Sequence, residues 1–330
     1  MPLLKVNATA TGLLVHGTLM HADYKIRELS DNSAPVVIMV HGYKYAPGTM
    51  RHCPHNKIFG SSNEAWPRSF GFGIANSDEG LCIPFGWYAR GSLAKAHRRA
   101  NLHGKDLARV VQILHSTRPG RPVHIVAHSL GVELAMSALP HLPARAIDKM
   151  VLMTGACFEA DAKARMKSPA GITAKFLNVI SRENDVFDVI FEHLVPSRQA
   201  GSGTIGQGIK AQNVVNLQID CAQTIDTLNK MSFPVAPAQR RVCHWSAYQR
   251  AGLLSLYNRF LRKNDELSLR ELQKSLPTDV SPRWSRLFPF IVAPAPASPT
   301  CLHRVLHGLG FPQGRTGPAA TRRNRYEHAH

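Results

Sequence analysis

The chain has 330 residues, 44% of them hydrophobic, which is enough for one large α/β domain with insertions or for two modest domains. Its 40 basic and 22 acidic residues give a net charge of +18, but zinc-finger spacing, aromatic RNA-binding signatures and basic-region helices are missing, so no specific nucleic-acid partner is expected. The sequence contains no membrane-spanning apolar segment, no CxxC pair among its six cysteines and no secretory leader pattern, and we therefore predict a cytoplasmic protein.

Short apolar segments alternate with helical patterns, and this alternation predicts a mostly parallel sheet covered by helices. The predicted strands are 13–15, 25–29, 36–40, 83–88, 123–128, 150–153, 176–180 and 214–219, the first two as an antiparallel edge. The predicted helices are 92–117, 132–139, 158–168, 246–263 and 267–276.

Two segments do not fit this alternation. Residues 43–82 form a long connection rich in Pro, Gly, Asn and Ser, and connections of this length are usually functional or mobile. Pro, Ala and Arg dominate residues 277–330, which predicts a basic, partly disordered C-terminal extension. We therefore expect one domain at 1–276, with an insertion at 43–82, followed by the extension.

Residues 123–131 predict a nucleophile elbow, in which a buried strand, a tight turn and a helix follow one another. The apolar segment ends at Ser129, and the small residues Ala127 and Gly131 stand two positions to either side. Strand and helix pass close together at such a turn, so both flanking positions must be small. The alternative is an ordinary buried strand that happens to contain Ser-Leu-Gly. The pattern favours Ser129 as a nucleophile.

A serine nucleophile needs a general base, and the base needs an orienting group. In proteins built on this elbow, the nucleophile, the acid and the histidine follow in that order along the chain. Asp185 follows the predicted strand 176–180 and is the preferred acid, with Asp188 and Asp220 as open alternatives. His244 lies between the last predicted strand and the last core helix, and it is the candidate base.

Acyl transfer also needs hydrogen-bond donors for the oxyanion, commonly two backbone N–H groups. One is expected from Leu130, directly after the nucleophile, and the other from Tyr43 in the loop after strand 36–40. Gly42 lets that loop turn sharply, and we include it with His128 among the candidate oxyanion- or substrate-binding residues. A second Val-His-Gly at 15–17 is less favoured because its strand is shorter and closer to the sheet edge.

These motifs resemble those of the α/β-hydrolase superfamily, of the serine esterase and lipase kind, and of a set of uncharacterised bacterial hydrolases. The resemblance rests on His41-Gly42, Ala127–Gly131, Asp185 and His244. It implies an α/β-hydrolase fold, with a mostly parallel central sheet flanked by helices, and Ser129, Asp185 and His244 as the triad. Residues 154–173 are too few for the helical cap that many relatives insert there, so no large cap is expected.

The expected function is that of a serine hydrolase that cleaves carboxylic esters through an acyl-enzyme, with a small-molecule ester as its partner and no cofactor or metal. Thioester, amide or lactone hydrolysis by the same triad, or a non-catalytic binding role, are the alternatives. A GxGxxG match at 201–206 follows no predicted strand and therefore does not indicate a dinucleotide site. His52, Cys53 and His55 are possible metal ligands but are more often structural. The sequence leaves substrate and oligomeric state open.

Overall fold

An eight-stranded sheet forms the centre of the molecule. The computed structural model describes residues 3–30, 33–74, 79–263 and 265–288. The strands are β1 (Val6–Thr9), β2 (Gly12–Val15), β3 (Val36–Val40), β4 (Leu81–Gly86), β5 (Val123–His128), β6 (Lys149–Met153), β7 (Lys175–Ile180) and β8 (Val214–Gln218). Their spatial order is β2-β1-β4-β3-β5-β6-β7-β8, and β1 with β2 is the antiparallel pair. This sheet confirms the predicted mostly parallel α/β-hydrolase architecture.

Eleven α-helices connect and cover the strands of the described chain. They are α1 (Ala22–Glu28), α2 (Trp66–Ser69), α3 (Leu93–Thr117), α4 (Leu130–Ala138), α5 (Glu159–Met166), α6 (Pro169–Thr173), α7 (Asp185–Leu194), α8 (Ala222–Lys230), α9 (Ser246–Gln249), α10 (Leu253–Arg262) and α11 (Leu269–Ser275). None of these helices is both long and apolar enough to cross a bilayer.

Helices cover both faces of the sheet, because successive side chains of a strand point to opposite sides. In β3, Val36, Ile38 and Val40 join a core that includes residues of α3 and α4. Val37 and Met39 join a second core, which includes residues of α8, α10 and α11. All five side chains are fully buried. Burial on both sides explains why this strand reads as a continuous apolar run.

Two predicted elements differ in the structure. Residues 25–29, predicted as a strand, belong largely to α1, whose Ala22 and Ile26 lie four positions apart on one buried helical face. The predicted helix 246–263 is divided into α9 and α10 at Gly252, which has a φ of +90°. A Cβ atom at this glycine would lie 1.9 Å from the carbonyl oxygen of Pro234. The other predicted strands are confirmed to within two residues.

Part of the predicted C-terminal extension packs against the α/β core that carries the sheet. Residues 283–287 form a turn, in which the Trp284 N–H donates to Asp185, the first residue of α7, and Arg286 donates to the Arg240 carbonyl in the loop before α9. Residues 289–330 lie outside the described residues, as do 75–78 of the long insertion.

Candidate active site

Ser129 stands alone between β5 and α4, so the strand passes into the helix through a single residue. Its backbone has a φ of 53° and a ψ of −125°, a conformation that residues other than glycine rarely adopt. The Ser129 N–H donates to the Met153 carbonyl at 3.0 Å, and its own carbonyl accepts from Ala156 at 3.1 Å. These bonds hold the turn in its strained form, as the predicted nucleophile elbow requires.

Two glycines allow the loop after β3 to lie directly against this turn. A Cβ atom at Gly42 would lie 2.8 Å from Cβ of Ser129, and one at Gly131 would lie 2.5 Å from the His41 carbonyl oxygen. Cβ atoms essentially never come this close to other heavy atoms. A side chain at position 42 or 131 would therefore clash with its neighbours, and glycine is the residue that fits at both.

His244 lies within hydrogen-bond distance of the serine hydroxyl. Its Nε2 is 2.9 Å from Oγ of Ser129, and its Nδ1 is 2.6 Å from Oδ1 of Asn184. Both Ser129 and Asn184 are buried, with exposed fractions of 4% and 2%. A hydroxyl, an imidazole and a side-chain carbonyl oxygen thus form a continuous chain of hydrogen bonds.

Neighbours on several sides fix the position of His244. Its backbone carbonyl accepts hydrogen bonds from Nε2 of His128 at 3.1 Å and from the hydroxyl of Thr154 at 3.4 Å. Its ring stacks on Phe187 with a centroid distance of 4.7 Å. Burial, followed by the charges of His128 and Lys44, holds the pKa of His244 well below its ordinary value. The imidazole is therefore neutral, as a general base must be.

The structure does not bring Asp185 to His244, so the expected acid–histidine contact is corrected. Asp185 is fully buried; its Oδ1 lies 3.1 Å from Nη1 of Arg182, and its Oδ2 accepts from the Trp284 N–H at 2.7 Å. Burial raises the pKa of Asp185 to about 6. The carboxyl is turned away because Asp185 is the first residue of α7, whereas Asn184 ends the short 3-10 turn before it.

The two alternative acids do not take this place either. Asp220 accepts the Arg182 N–H with both carboxylate oxygens at 3.1 Å. Asp188 is buried on α7, and burial raises its pKa to about 7. Among the described residues, no hydrogen bond joins either carboxyl to His244. Sequence reasoning missed Asn184 because it looked for a carboxylate. The signal that could have found it was its place beside Asp185, in the loop after the predicted strand 176–180.

Two backbone amides beside Ser129 suit the predicted oxyanion donors. Leu130 is the first residue of α4, so its N–H has no acceptor within the helix. Neither it nor the Tyr43 N–H donates a hydrogen bond to another group of the described chain. The Lys44 N–H donates to the Ala89 carbonyl at 2.9 Å, and the Tyr43 hydroxyl donates to the Gly91 carbonyl. These bonds anchor the loop while leaving both amides available.

Glu183 joins the loop before α7 to the loop that carries His244, a role that the sequence did not reveal. Its buried carboxylate lies 2.5 Å from Nη2 of Arg250, and its backbone carbonyl accepts from the Cys243 N–H at 2.9 Å. Glu183, directly before Asn184, is thus bonded to residues on both sides of His244.

The GxGxxG match at 201–206 and the possible metal ligands at 52–55 have structural surroundings. Residues 201–206 form a turn whose Thr204 bridges to Phe158, without a preceding strand. His55 bonds through Nε2 to Asn7 at 2.7 Å, and Sγ of Cys53 lies 3.7 Å from Nε2 of His16. Within the described ranges, no group of three or more His, Cys, Asp or Glu residues is arranged to hold a metal ion.

The match to a family model agrees with this architecture. Residues 21–199 match the family model "Alpha/beta hydrolase of unknown function (DUF900)". Among solved structures, the chain matches "The crystal structure of the gene lin2722 products from Listeria innocua" at 11% identity and a TM-score of 0.40, over 70% of this chain and 94% of that chain. A comparison with curated proteins gives no match. Since the family model covers more than half of the sequence, the chain belongs to this family of α/β hydrolases of unknown function, and the resemblance to the α/β-hydrolase superfamily is confirmed.

Proposed function

We propose that the protein is a serine hydrolase that cleaves carboxylic esters through an acyl-enzyme intermediate. The observation that carries this proposal is the 2.9 Å contact between Oγ of Ser129 and Nε2 of His244, at an elbow whose serine has a φ of 53°. A hydroxyl is a weak nucleophile at neutral pH, and a neutral imidazole at this distance removes its proton as the bond to the carbonyl carbon forms.

In the first half-reaction, Ser129 Oγ attacks the ester carbonyl and its proton passes to Nε2 of His244. The negative charge that develops on the carbonyl oxygen is stabilised by the N–H groups of Leu130 and Tyr43, which the close approach of Gly42 brings beside the serine. Collapse of the tetrahedral intermediate breaks the bond to the alkoxy group, which leaves as the alcohol with the proton from His244. His128 helps to hold His244 in place, because its Nε2 donates a hydrogen bond to the His244 backbone carbonyl.

In the second half-reaction, His244 takes a proton from water, and the resulting hydroxide attacks the acyl carbon. The bond to Oγ breaks, the proton returns to Ser129 and the carboxylic acid is released. No step needs a cofactor.

The surroundings of His244 support an apolar acyl or aromatic group in the substrate. Phe187 stacks on its ring, and Trp245 is 45% exposed with its ring 6.5 Å from that of Phe187. The exposed Lys44, which follows Tyr43 in the loop after β3, favours a substrate with a negative charge.

Labelling with a fluorophosphonate probe tests the proposal directly. We expect the wild type to be labelled at neutral pH and Ser129→Ala to be unlabelled, with p-nitrophenyl ester hydrolysis lost in parallel. The matched control is Ser137→Ala, a buried serine near the end of α4, which should label like the wild type. Equal labelling of Ser129→Ala would rule out this nucleophile. An unlabelled wild type, beside a labelled reference esterase, would instead favour a non-catalytic binding role.

A further inference from the structure

We propose that Asn184 is the positioning residue of this site, so that the catalytic group is a serine, a histidine and a neutral amide rather than a carboxylate. This inference rests on the proposed function, because it assigns the third member of the same site. A carboxylate is the residue type that the sequence led us to expect, and the geometry replaces it with its neighbour.

The contact itself is short and buried. Oδ1 of Asn184 lies 2.6 Å from Nδ1 of His244, and the asparagine side chain is 2% exposed. A carbonyl oxygen only accepts hydrogen bonds, so Nδ1 must carry the proton. Nε2 is then the acceptor that faces Oγ of Ser129. Asn184 therefore selects the one tautomer in which the imidazole can act as a base.

The carboxylates on either side of Asn184 are committed to other partners. Glu183 is paired with Arg250 at 2.5 Å, and Asp185 with Arg182 at 3.1 Å. Each carboxylate therefore has its own buried cation, and only the neutral residue between them is turned toward the histidine. Glu183 thus holds the loop that carries His244, Asn184 orients the imidazole, and Asp185 anchors the start of α7.

A neutral partner changes the electrostatics of the base. The titratable neighbours of His244 are His128 from β5 and Lys44 from the loop after β3, and both oppose a positive charge on its ring. No carboxylate hydrogen-bonded to Nδ1 offsets them, and the pKa of His244 is held well below its ordinary value, mainly by burial. The face of Phe187 gives weaker support to the imidazolium. The site should thus keep a neutral, competent base into mildly acidic solution.

The test is the rate of fluorophosphonate labelling between pH 4.5 and 9 for the wild type and three variants. The acidic limb of the wild type should lie below the ordinary histidine pKa of 6.5. Asn184→Ala should label about 100-fold more slowly at pH 8, because the tautomer is no longer selected. Asn184→Asp should label at pH 8 at least as fast as the wild type, with its acidic limb moved up by about one unit or more, since an adjacent carboxylate favours the charged imidazole. Asp185→Asn is the matched control and should keep the wild-type limb.

Asn184→Ala with a wild-type rate, or Asn184→Asp with an unmoved limb, overturns the proposal. In either case, loss of labelling in Ser129→Ala would still support the serine hydrolase. A direct measurement does not depend on activity: the NMR signal of the Nδ1 proton, absent in His244→Gln, should be present in the wild type and lost in Asn184→Ala. Persistence of that signal in folded Asn184→Ala also overturns the proposal.

Discussion

The backbone of Ser129 is held in a conformation that its own side chain disfavours. A φ of 53° with a ψ of −125° matches the first central position of a type II′ turn, where glycine is the usual residue. Strain of this kind costs about 1–3 kcal/mol and persists only when the surroundings fix the chain. The hydrogen bonds from Ser129 N–H to Met153 and from Ala156 to the Ser129 carbonyl provide that constraint. The strained turn therefore costs stability, and it holds the Ser129 hydroxyl beside His244.

The strain predicts a difference between two inactive variants. We expect Ser129→Gly to be more stable than Ser129→Ala by about 1 kcal/mol, because relief of 1–3 kcal/mol of strain exceeds the entropy that glycine adds to the unfolded chain. Denaturant unfolding of the two variants measures the difference. Ala135→Gly, in the middle of α4, is the control and should be destabilised by a similar amount. Equal stability of the two Ser129 variants would mean that the turn is unstrained.

At the same scale, the sequence predicted two of the three hydrogen-bonded residues. Ser129 could be predicted because its turn requires small residues at fixed positions. His244 could be predicted because the chemistry requires a histidine after the last strand. Asn184 and Asp185 differ by one position, and their directions depend on where a 3-10 turn ends and α7 begins. Such boundaries are the least reliable part of a sequence-based prediction.

Among the elements, the segment of residues 281–288 connects separate parts of the site's framework. Arg283 forms a two-pronged contact with Glu192 on α7, with both distances 2.8 Å. Further bonds join Trp284 to Asp185, Ser281 to Gln218, and Arg286 to the carbonyls of Ala238 and Arg240. The segment thus ties α7, which follows Asn184, to the loop that precedes His244.

We expect Arg283→Met to lower the free energy of unfolding by about 1–3 kcal/mol, because it leaves a partly buried carboxylate without its charged partner. The melting temperature measures the loss. The matched control is Arg259→Met, whose pair with Glu266 is exposed at both ends and should contribute about 0–1 kcal/mol. An equal loss in both variants would show that the 281–288 segment adds no specific stability.

Elements with one dominant signal were predicted well. β3 and β5 are buried on both faces and read as apolar runs, and α3 shows helical spacing after a serine N-cap. The prediction of a strand at 25–29 was wrong because the seven residues of α1 are too few for a helical period to outweigh the apparent alternation of polar and apolar residues. The break at Gly252 depends on its contact with Pro234, a tertiary contact that no local pattern contains.

For the whole molecule, buried neutral histidines are a prominent electrostatic feature. Burial lowers the pKa of His41 and of His128 to about 4, and that of His55 to about 2. In His41, Nδ1 donates to the Gly42 carbonyl at 2.9 Å and Nε2 accepts from the Trp87 N–H at 3.1 Å. A second proton would place two donors face to face, so the folded state accepts it poorly. The unfolded chain takes it up near pH 6.5.

The pH dependence of stability has opposing contributions. A histidine whose folded pKa is lowered contributes stability above pH 6.5 that is lost as the pH falls, about 2 kcal/mol each by pH 5. Asp185 and Asp188, whose folded pKa values are raised to about 6 and 7, act in the opposite direction. Between pH 8 and pH 5, their protonation raises the free energy of unfolding by about 1 and 3 kcal/mol respectively. This gain is smaller than the combined loss from the three histidines. Acidification should therefore destabilise the fold.

We expect the melting temperature to fall steadily from pH 7 to pH 5, and His55→Gln to flatten this slope, because the variant removes one buried group that the unfolded chain protonates. The measurement is thermal unfolding at half-unit pH steps. His141→Gln, at an exposed histidine, is the control and should keep the wild-type slope. A wild-type melting temperature that rises toward pH 5 would mean that the carboxyls of Asp185 and Asp188 dominate. An unchanged slope in His55→Gln would mean that folding does not lower the pKa of His55.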